Sequence, residues 1–570
     1  MKVTRFIALI LALAVVLAFP TAAFAEEEKV TLRVMSMSTH PNGTGVLDNK
    51  IAKLIEEELG IIIDMTATNE QDAQQQLPAM IASNDLPDIF FIPETDTMKY
   101  IEMMYKGKQI LALDEYLEEY APNMMADPAA QASLELKRQT LSPDGKVYAI
   151  GMNRGTFDSG IQPIVGQFIR WDLYAKIGYP EMKTYDDLID VLKQMQDLEN
   201  ETADGQKVYA VGAWFGDSQG WGDWHLTYNM AYAEGYNCLT AGDRTVYSDI
   251  VTNKIVESNQ QKDKDGIFWR QVEWYNKAYR AGILDPDSFT QKSDQYDDKV
   301  RSGRYLFVNP GWLIEGANQA FIDRGEPEKA LVCLPPIGTD KFTLYRYYIA
   351  GQFNYAVSAN CKHPEKAVQL LDWVSSYENA RILYNGEEGT YWNMVDGVPT
   401  PTEEYLNMKR DDAEIQRTEG INTFDKLIGY GYATIDPATG TALDLYSCSA
   451  PALARRLTPA HEDFLKHYGF ETLPELYETL SPGGNIDMTL FNLGNVPADL
   501  QMAEANLQAY EFKNIFKCIL AESEEEFEKL QDEYIAGLDA FNIDEIYEYW
   551  VSVGKAQEEQ LKPVLDLLEG

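Results

Sequence analysis

Apolar and polar residues alternate through Val30-Thr31-Leu32-Arg33-Val34-Met35, which predicts a strand with one buried face. A Gly/Pro/Asn loop follows from Ser36 to Gly45. Leu47, Ile51, Leu54, Ile55 and Leu59 then recur at helical spacing, and Gly60 stands where a helix end favours a left-handed residue. Ile61-Ile62-Ile63-Asp64-Met65 reads as the next strand and residues 70–83 as a second helix. Asp88-Ile89-Phe90-Phe91-Ile92 is a short buried strand. Strand, helix, strand, helix, strand predicts a parallel sheet with helices on its faces, whose ligand loops lie at the carboxyl ends of the strands. Those loops are Ser38-Thr39-His40-Pro41-Asn42 and Pro93-Glu94-Thr95-Asp96.

Another α/β stretch begins near Phe168. Thr184-Tyr185-Asp186-Asp187 has the form of a capping box, with Leu188, Val191, Leu192 and Met195 as the apolar stripe behind it. Residues 266–281 read as a helix with Phe268, Val272, Tyr275 and Tyr279 on one side, and Pro364 opens a further helix. From about residue 500 to 560 the pattern is almost wholly helical, and the acidic run Glu522 to Glu528 reads as a solvated face. There is no internal repeat and no low-complexity linker, which suggests two lobes joined by several chain crossings.

The start of the chain reads as a secretory signal over residues 1–25. Lys2 and Arg5 precede an apolar run from Phe6 to Phe19, and Ala23-Phe24-Ala25 supplies small residues for cleavage. A retained membrane anchor is the alternative. No Cys stands at the cleavage point, so the expectation is a secreted, extracellular or periplasmic protein that is not an N-terminal lipoprotein.

Composition narrows the function. The chain has 570 residues, 90 Asp+Glu and 48 Lys+Arg, for a net charge of −42. That length calls for at least two domains. That charge disfavours nucleic acid and anionic lipid as partners. Five scattered Cys without CxxC spacing suggest neither a disulfide framework nor a zinc site, although one or two bridges remain open. The 34 Tyr and 10 Trp exceed what most cores of this size need, so a few are expected in a binding surface.

Several segments in fixed order resemble family 1 extracellular solute-binding proteins of ABC transporters, in particular the large oligosaccharide-binding branch. They include Leu86-Pro87-Asp88-Ile89-Phe90, Leu113-Asp114-Glu115-Tyr116-Leu117 with Tyr120-Ala121-Pro122-Asn123, and Asp144-Gly145-Lys146-Val147-Tyr148-Ala149-Ile150. Ile169-Arg170-Trp171-Asp172-Leu173-Tyr174, Gly282-Ile283-Leu284-Asp285-Pro286-Asp287, Pro364-Glu365-Lys366-Ala367 and Gly386-Glu387-Glu388-Gly389-Thr390-Tyr391-Trp392 follow, with Tyr534-Ile535-Ala536-Gly537-Leu538 in the tail.

The resemblance implies an α/β, two-lobe periplasmic-binding-protein-like fold of type II, with a ligand cleft between the lobes and a helical C-terminal region. One lobe is expected at about 26–155 plus 340–430, the other at about 156–339 plus 431–570. It further implies hinge closure on a sugar and docking on permease subunits. Some members of the family carry a calcium loop where this chain has Asp197, Glu199, Glu201 and Asp204. The tight Asp-x-Asn-Gly pattern is missing, and Ca²⁺ wants six to eight oxygens. No cofactor is therefore expected, with calcium kept as the open case. The expected state is a monomer.

A sugar presents apolar C–H faces and a rim of hydroxyls, so its site pairs aromatic platforms with bidentate polar groups. Trp214, Trp221 and Trp224 lie in one Gly/Asp/Gln-rich loop, which reads as a cleft loop. Glu388, Tyr391 and Trp392 lie in a Gly-flanked turn that, by resemblance, faces the cleft. Trp312 follows the strand Tyr305-Leu306-Phe307-Val308. His40 and Asn42 follow the first strand, Glu94 follows the third, and Arg154 sits near the first crossing. Trp269, Trp274, Trp373 and Trp550 lie on helical stripes and are expected in the core, and Trp171 is a candidate packing residue.

The alternative is a binder of a non-sugar solute such as a peptide or polyamine. A secreted glycoside-active enzyme ranks below it. A pair of carboxylates is uninformative among 90 acidic residues, and no HExxH or phosphate loop occurs.

Overall fold

The computed structural model describes residues 29–37, 44–93, 97–156, 163, 165–217, 222, 224–239, 244–249, 252, 254–338, 347–348, 351, 353–408, 413–480 and 496–569. Residues 1–28, which carry the expected signal, lie outside them. Among the described residues no helix is long and apolar enough to cross a membrane.

The first strands are β1 (Val30–Met37), β2 (Gly45–Val46), β3 (Ile61–Thr68), β4 (Ile89–Ile92) and β5 (Ile150–Met152). β6 (Gly155–Thr156) and β7 (Val165–Arg170) follow, then β8 (Tyr236–Cys238), β9 (Tyr247–Asp249) and β10 (Lys254–Ile255). β11 (Phe307–Pro310), β12 (Leu331–Cys333), β13 (Tyr347–Tyr348) and β14 (Phe353–Val357) come next, then the hairpin β15 (Trp392–Val395) and β16 (Val398–Pro401).

The alternation predicted for β1 holds in its first half, whereas from Val34 onward both faces are buried, with Met35 packing beside Phe90 and Ile92. Leu32 and Val34 enter the core, while Arg33 stays outside and pairs with Asp85. The Asn49 side chain caps the helix Lys50–Leu59 at Ala52 N, and Gly60 at φ 68° turns the chain into β3. β1 pairs parallel with β3 and with β4. The sheet order is β2-β3-β1-β4-β14-β5, and β14 runs antiparallel to β4 and β5. The parallel core of three strands is thus completed by β14, which returns after an excursion of about 200 residues and pairs with β5, the strand that leads into it.

In that excursion β7 is buried along its whole length between β11 and β12, both antiparallel to it. The helices Tyr185–Leu198, with its Thr184/Asp187 capping box, and Ile267–Arg280 cover this sheet. The tail helices Ala498–Ile519, Glu524–Gly537 and Ile543–Glu569 complete the same core. Asn276 fixes the tail by donating its amide to the carbonyls of Cys518, Ile519 and Ala521, at 3.2, 3.1 and 2.7 Å. Trp171, Trp269, Trp274, Trp373 and Trp550 are all buried, and all five cysteines are buried free thiols.

One hydrophobic core therefore forms around β1, β3, β4 and β14, and another around β7, β11 and β12. Residues 431–456 pack on the first, not on the second as the sequence suggests. Arg381 donates to Asp436 at 2.8 Å, Asn385 to the Leu443 carbonyl at 2.8 Å and Tyr446 to the Met408 carbonyl at 3.0 Å. The helix Pro459–Tyr468 then joins the second core, with Asp463 accepting from Trp171 Nε1. Nothing in an apolar stripe records which of two cores it will meet. The helix Pro128–Thr140 feeds both, Ala130 and Leu134 into the first and Ala132 and Leu136 into the second.

Candidate functional site between the lobes

Two chain crossings pair with each other where the lobes join: β6 runs antiparallel to β13. Asn153 and Arg154 donate their amides to the carbonyls of Ile428 and Gly429, and Gly431 donates to the Arg154 carbonyl. The packing is close enough to require glycine. A Cβ on Gly155, at φ 116°, would lie 2.5 Å from Thr434 Oγ1, and one on Gly351 would lie 2.4 Å from the Gly151 carbonyl carbon.

This junction places Arg154. Its guanidinium is buried, lies 4.7 Å from the centroid of the Tyr430 ring, and donates to the Gly151 carbonyl at 3.1 Å. Tyr430 stacks on Tyr377 at 4.2 Å and donates to Asp127 at 2.6 Å. Arg154 therefore lies buried at the junction of the lobes, near the first crossing.

The crossings also define which ends of the sheets face each other. β5 runs into the first crossing and β14 emerges from the second. β14 sets Asn354 beside Ile92, so the carboxyl end of β4 lies at the junction, and Tyr355 OH bonds Ser36 Oγ at 2.9 Å near the end of β1. In the other lobe Val165, where β7 begins after the first crossing, pairs with Pro310 at the end of β11. Trp312 follows two residues later. Its indole is 45% exposed, more than any other tryptophan among the described residues.

Trp312 caps a ladder of rings. Trp224 meets it edge-on at 5.1 Å, and Trp214 stacks on Trp224 at 5.2 Å and 27°. Tyr296 meets Trp214 at 5.0 Å, Tyr305 lies 5.0 Å beyond, and Tyr305 OH donates to Asp285, which also takes Lys299 Nζ at 2.7 Å. His225 lies 4.1 Å from Trp214, and burial pushes its imidazole down to about 3, so it is neutral.

Trp214 and Trp224 are thus buried supports, where the sequence suggested cleft platforms. The glycines that made the loop look exposed serve close backbone approach. A Cβ on Gly216 would lie 2.3 Å from the Thr290 carbonyl oxygen, and one on Gly222 would lie 2.4 Å from that of Asp217. Trp221, His40, Asn42 and Glu94 lie outside the described residues.

The Gly-flanked turn belongs to the first lobe. Trp392 is buried, donates to the Gly386 carbonyl at 2.8 Å and lies 6.0 Å from the Arg381 guanidinium, so it closes the turn and offers no open face. Glu388 accepts from Met394 N at 3.1 Å and holds the hairpin. Tyr391 is half-buried, 5.5 Å from Tyr405. Its phenol is raised by burial and by Glu419, and Glu419 pairs with Lys50 at 2.8 Å. Lys50 opens the helix that follows β2. Lys50 and Glu419 escaped the sequence reading, since nothing local marks a surface Lys and a Glu more than 350 residues apart as partners. Beside the helix Thr97–Lys106, which follows β4, a cavity of about 430 Å³ opens between Lys99, Glu102 and Met103 of one lobe and Val496, Pro497 and Gln501 of the other.

Three of the four carboxylates named for calcium, those of Asp197, Glu199 and Asp204, have internal partners. Asp197 pairs with Lys193, and Glu199 takes Arg170 Nη1 at 3.1 Å. Asp204 accepts from Thr202 Oγ1, and Glu201 bridges Lys207 through its backbone. With the Glu199 carboxylate held by Arg170 and the carbonyls of Asn200, Thr202 and Gln206 taken by N–H groups of the loop, these oxygens are not turned onto a common point as a calcium ion needs.

The description "bacterial extracellular solute-binding protein" matches residues 41–381. The chain belongs to this family. A fructooligosaccharide ABC transporter substrate-binding protein, FusA, from Streptococcus pneumoniae serotype 4 is 27% identical over 175 residues, 30% of this chain and 31% of that protein. The match therefore spans under a third of that relative's length. An HMO binding ABC-transporter associated solute binding protein from Bifidobacterium longum infantis ATCC 15697 superposes at TM-score 0.60 with 15% identity, covering 92% of this chain and 98% of that one. An S. pneumoniae FusA EF-hand mutant in complex with fructo-nystose superposes at 0.59 with 16% identity, covering 94% and 100%. These likenesses establish the two-lobe solute-binding fold.

Proposed function

We propose that this protein is the extracellular binding component of an ABC importer, that it captures an oligosaccharide between its lobes by hinge closure, and that it hands the sugar to a membrane permease. The observation that carries the reading is Trp312: a half-exposed indole at the crossing end of the second lobe, fixed from behind by Trp224 and Trp214. An aromatic plane backed by a rigid core loses little entropy when a pyranose or furanose ring stacks on it. Tyr391, Lys50 and Glu419 supply hydroxyl, ammonium and carboxylate groups from the opposite lobe, the mixture that sugar hydroxyls need. The names of the sugar-binding relatives point the same way.

Release to a permease requires that the sugar leave intact, so the protein binds without catalysis. It is exported by its N-terminal signal and acts as a monomer. A thermal-shift panel tests this reading, with kestose, nystose, milk oligosaccharides, N-glycans, peptides and polyamines as probes. A rise in unfolding temperature with one sugar class, with the sugar recovered unchanged by chromatography, is expected. A response to peptides or polyamines alone would overturn it, and product formation would indicate an enzyme.

A further inference from the structure

The strand β7 ends at Arg170, about 17 Å along the strand from the crossing end at Val165. Arg170 is fully buried. Its guanidinium reaches Asp172 through Nε at 2.8 Å and Nη2 at 3.1 Å, and Glu199 through Nη1 at 3.1 Å. Lys176 meets Asp172 at 3.0 Å, and Lys329 lies 3.8 Å from Glu199. Burial alone would raise Asp172, yet the guanidinium holds its carboxyl below the usual range. One buried cation thus ties the end of β7 and the helix Trp171–Lys176 to the residue that follows the helix Tyr185–Leu198.

The loop beyond Glu199 closes on itself. Thr202 N donates to the Gln206 carbonyl at 2.8 Å, Gly205 N to the Thr202 carbonyl at 2.9 Å, and Val208 N to the Asn200 carbonyl at 2.9 Å. Thr202 Oγ1 donates to Asp204 and accepts from Gln206 N at 2.9 Å. A calcium loop turns such carbonyls and carboxylates inward onto an ion. Here the carbonyls of Asn200, Thr202 and Gln206 take N–H groups of the loop, and the Glu199 carboxylate takes Arg170.

We infer that the Arg170 guanidinium and the Thr202 hydrogen-bond hub do for this loop what a bound calcium ion would do, so that the second lobe folds and holds its shape independently of divalent cations. The Glu199 carboxylate is neutralised by a covalently attached cation, which no chelator can remove.

Thermal unfolding of the full chain, dialysed against chelator and then given millimolar calcium chloride, tests the idea. The midpoint is expected to stay within about 1 °C in both conditions. A calcium-dependent rise of several degrees, or one bound calcium per chain by isothermal titration, would overturn the inference. Arg170→Gln is expected to lower the midpoint by about 5 °C or more, with Arg170→Lys falling between it and the wild type, because Lys keeps the charge and loses the fork. Equal midpoints for wild type and R170Q, or for R170K and R170Q, would also overturn it. Should R170Q fail to fold, Glu199→Gln serves instead. A lowered midpoint with no calcium response supports the inference, and an unchanged midpoint contradicts it.

Discussion

At the scale of single residues, Trp312 and Trp392 have opposite surroundings despite similar sequence settings. Trp312 presents a face to solvent, so Trp312→Ala should weaken sugar binding by about 10- to 100-fold, or about 1–3 kcal/mol, with little change in unfolding temperature. Titration calorimetry and a melting curve check both halves. Trp392 is buried, so Trp392→Ala should cost about 3–5 kcal/mol of stability and lower the urea midpoint. A loss confined to affinity would show that its ring does reach ligand. His225 and His461 are held neutral by burial, at about 3 and about 4. In the unfolded chain both titrate near 6.5, so on acidification the unfolded state takes up the proton first. The stability they confer is complete above about pH 6.5 and declines toward pH 4, by about 1.4 kcal/mol per pH unit for each histidine. Urea midpoints at neutral and mildly acid pH, compared between wild type and His225→Phe, isolate this from the titration of the 90 acidic residues; the variant should lose less stability in acid. Equal losses would contradict the assignment.

At the scale of elements, the junction depends on backbone approach more than on side chains. Gly155→Ala would drive a methyl into Thr434 while holding φ at 116°, so it should both destabilise the chain and shift the preferred angle between the lobes. Adding Thr434→Ala should relieve the steric part and leave the backbone strain, a partial recovery that melting curves can resolve. The elements themselves were largely legible. The helices Lys50–Leu59, Tyr185–Leu198 and Ile267–Arg280 sit where caps and apolar spacing put them, because those signals are local. The antiparallel return of β14 beside β4 was not legible, since pairing across more than 250 residues leaves no mark on either strand. For the same reason residues 431–456 went to the wrong core.

At the scale of the whole molecule, closure on sugar should reduce the radius of gyration, as X-ray scattering with and without ligand would show. The net charge of −42 supplies a second discriminator. A neutral sugar should bind equally well from about 0.01 to about 1 M ionic strength, over which the screening length falls from about 30 to about 3 Å. Steeply falling affinity would indicate a cationic ligand such as a polyamine.

The sequence by itself determined the order of helices and strands, the division into two α/β lobes with a helical tail, and the membership of a solute-binding family. These depend on spacing, caps and motifs carried within short stretches. Only the tertiary structure decided which of the candidate tryptophans is exposed, because exposure is a property of neighbours. Trp214, Trp224 and Trp312 look alike in one dimension, and the packing of Gly216 against Thr290 buries the first two beneath the third. Tertiary structure likewise buried Arg154 against Tyr430 at the junction of the lobes, and set Arg170 against Glu199 in the loop considered for calcium.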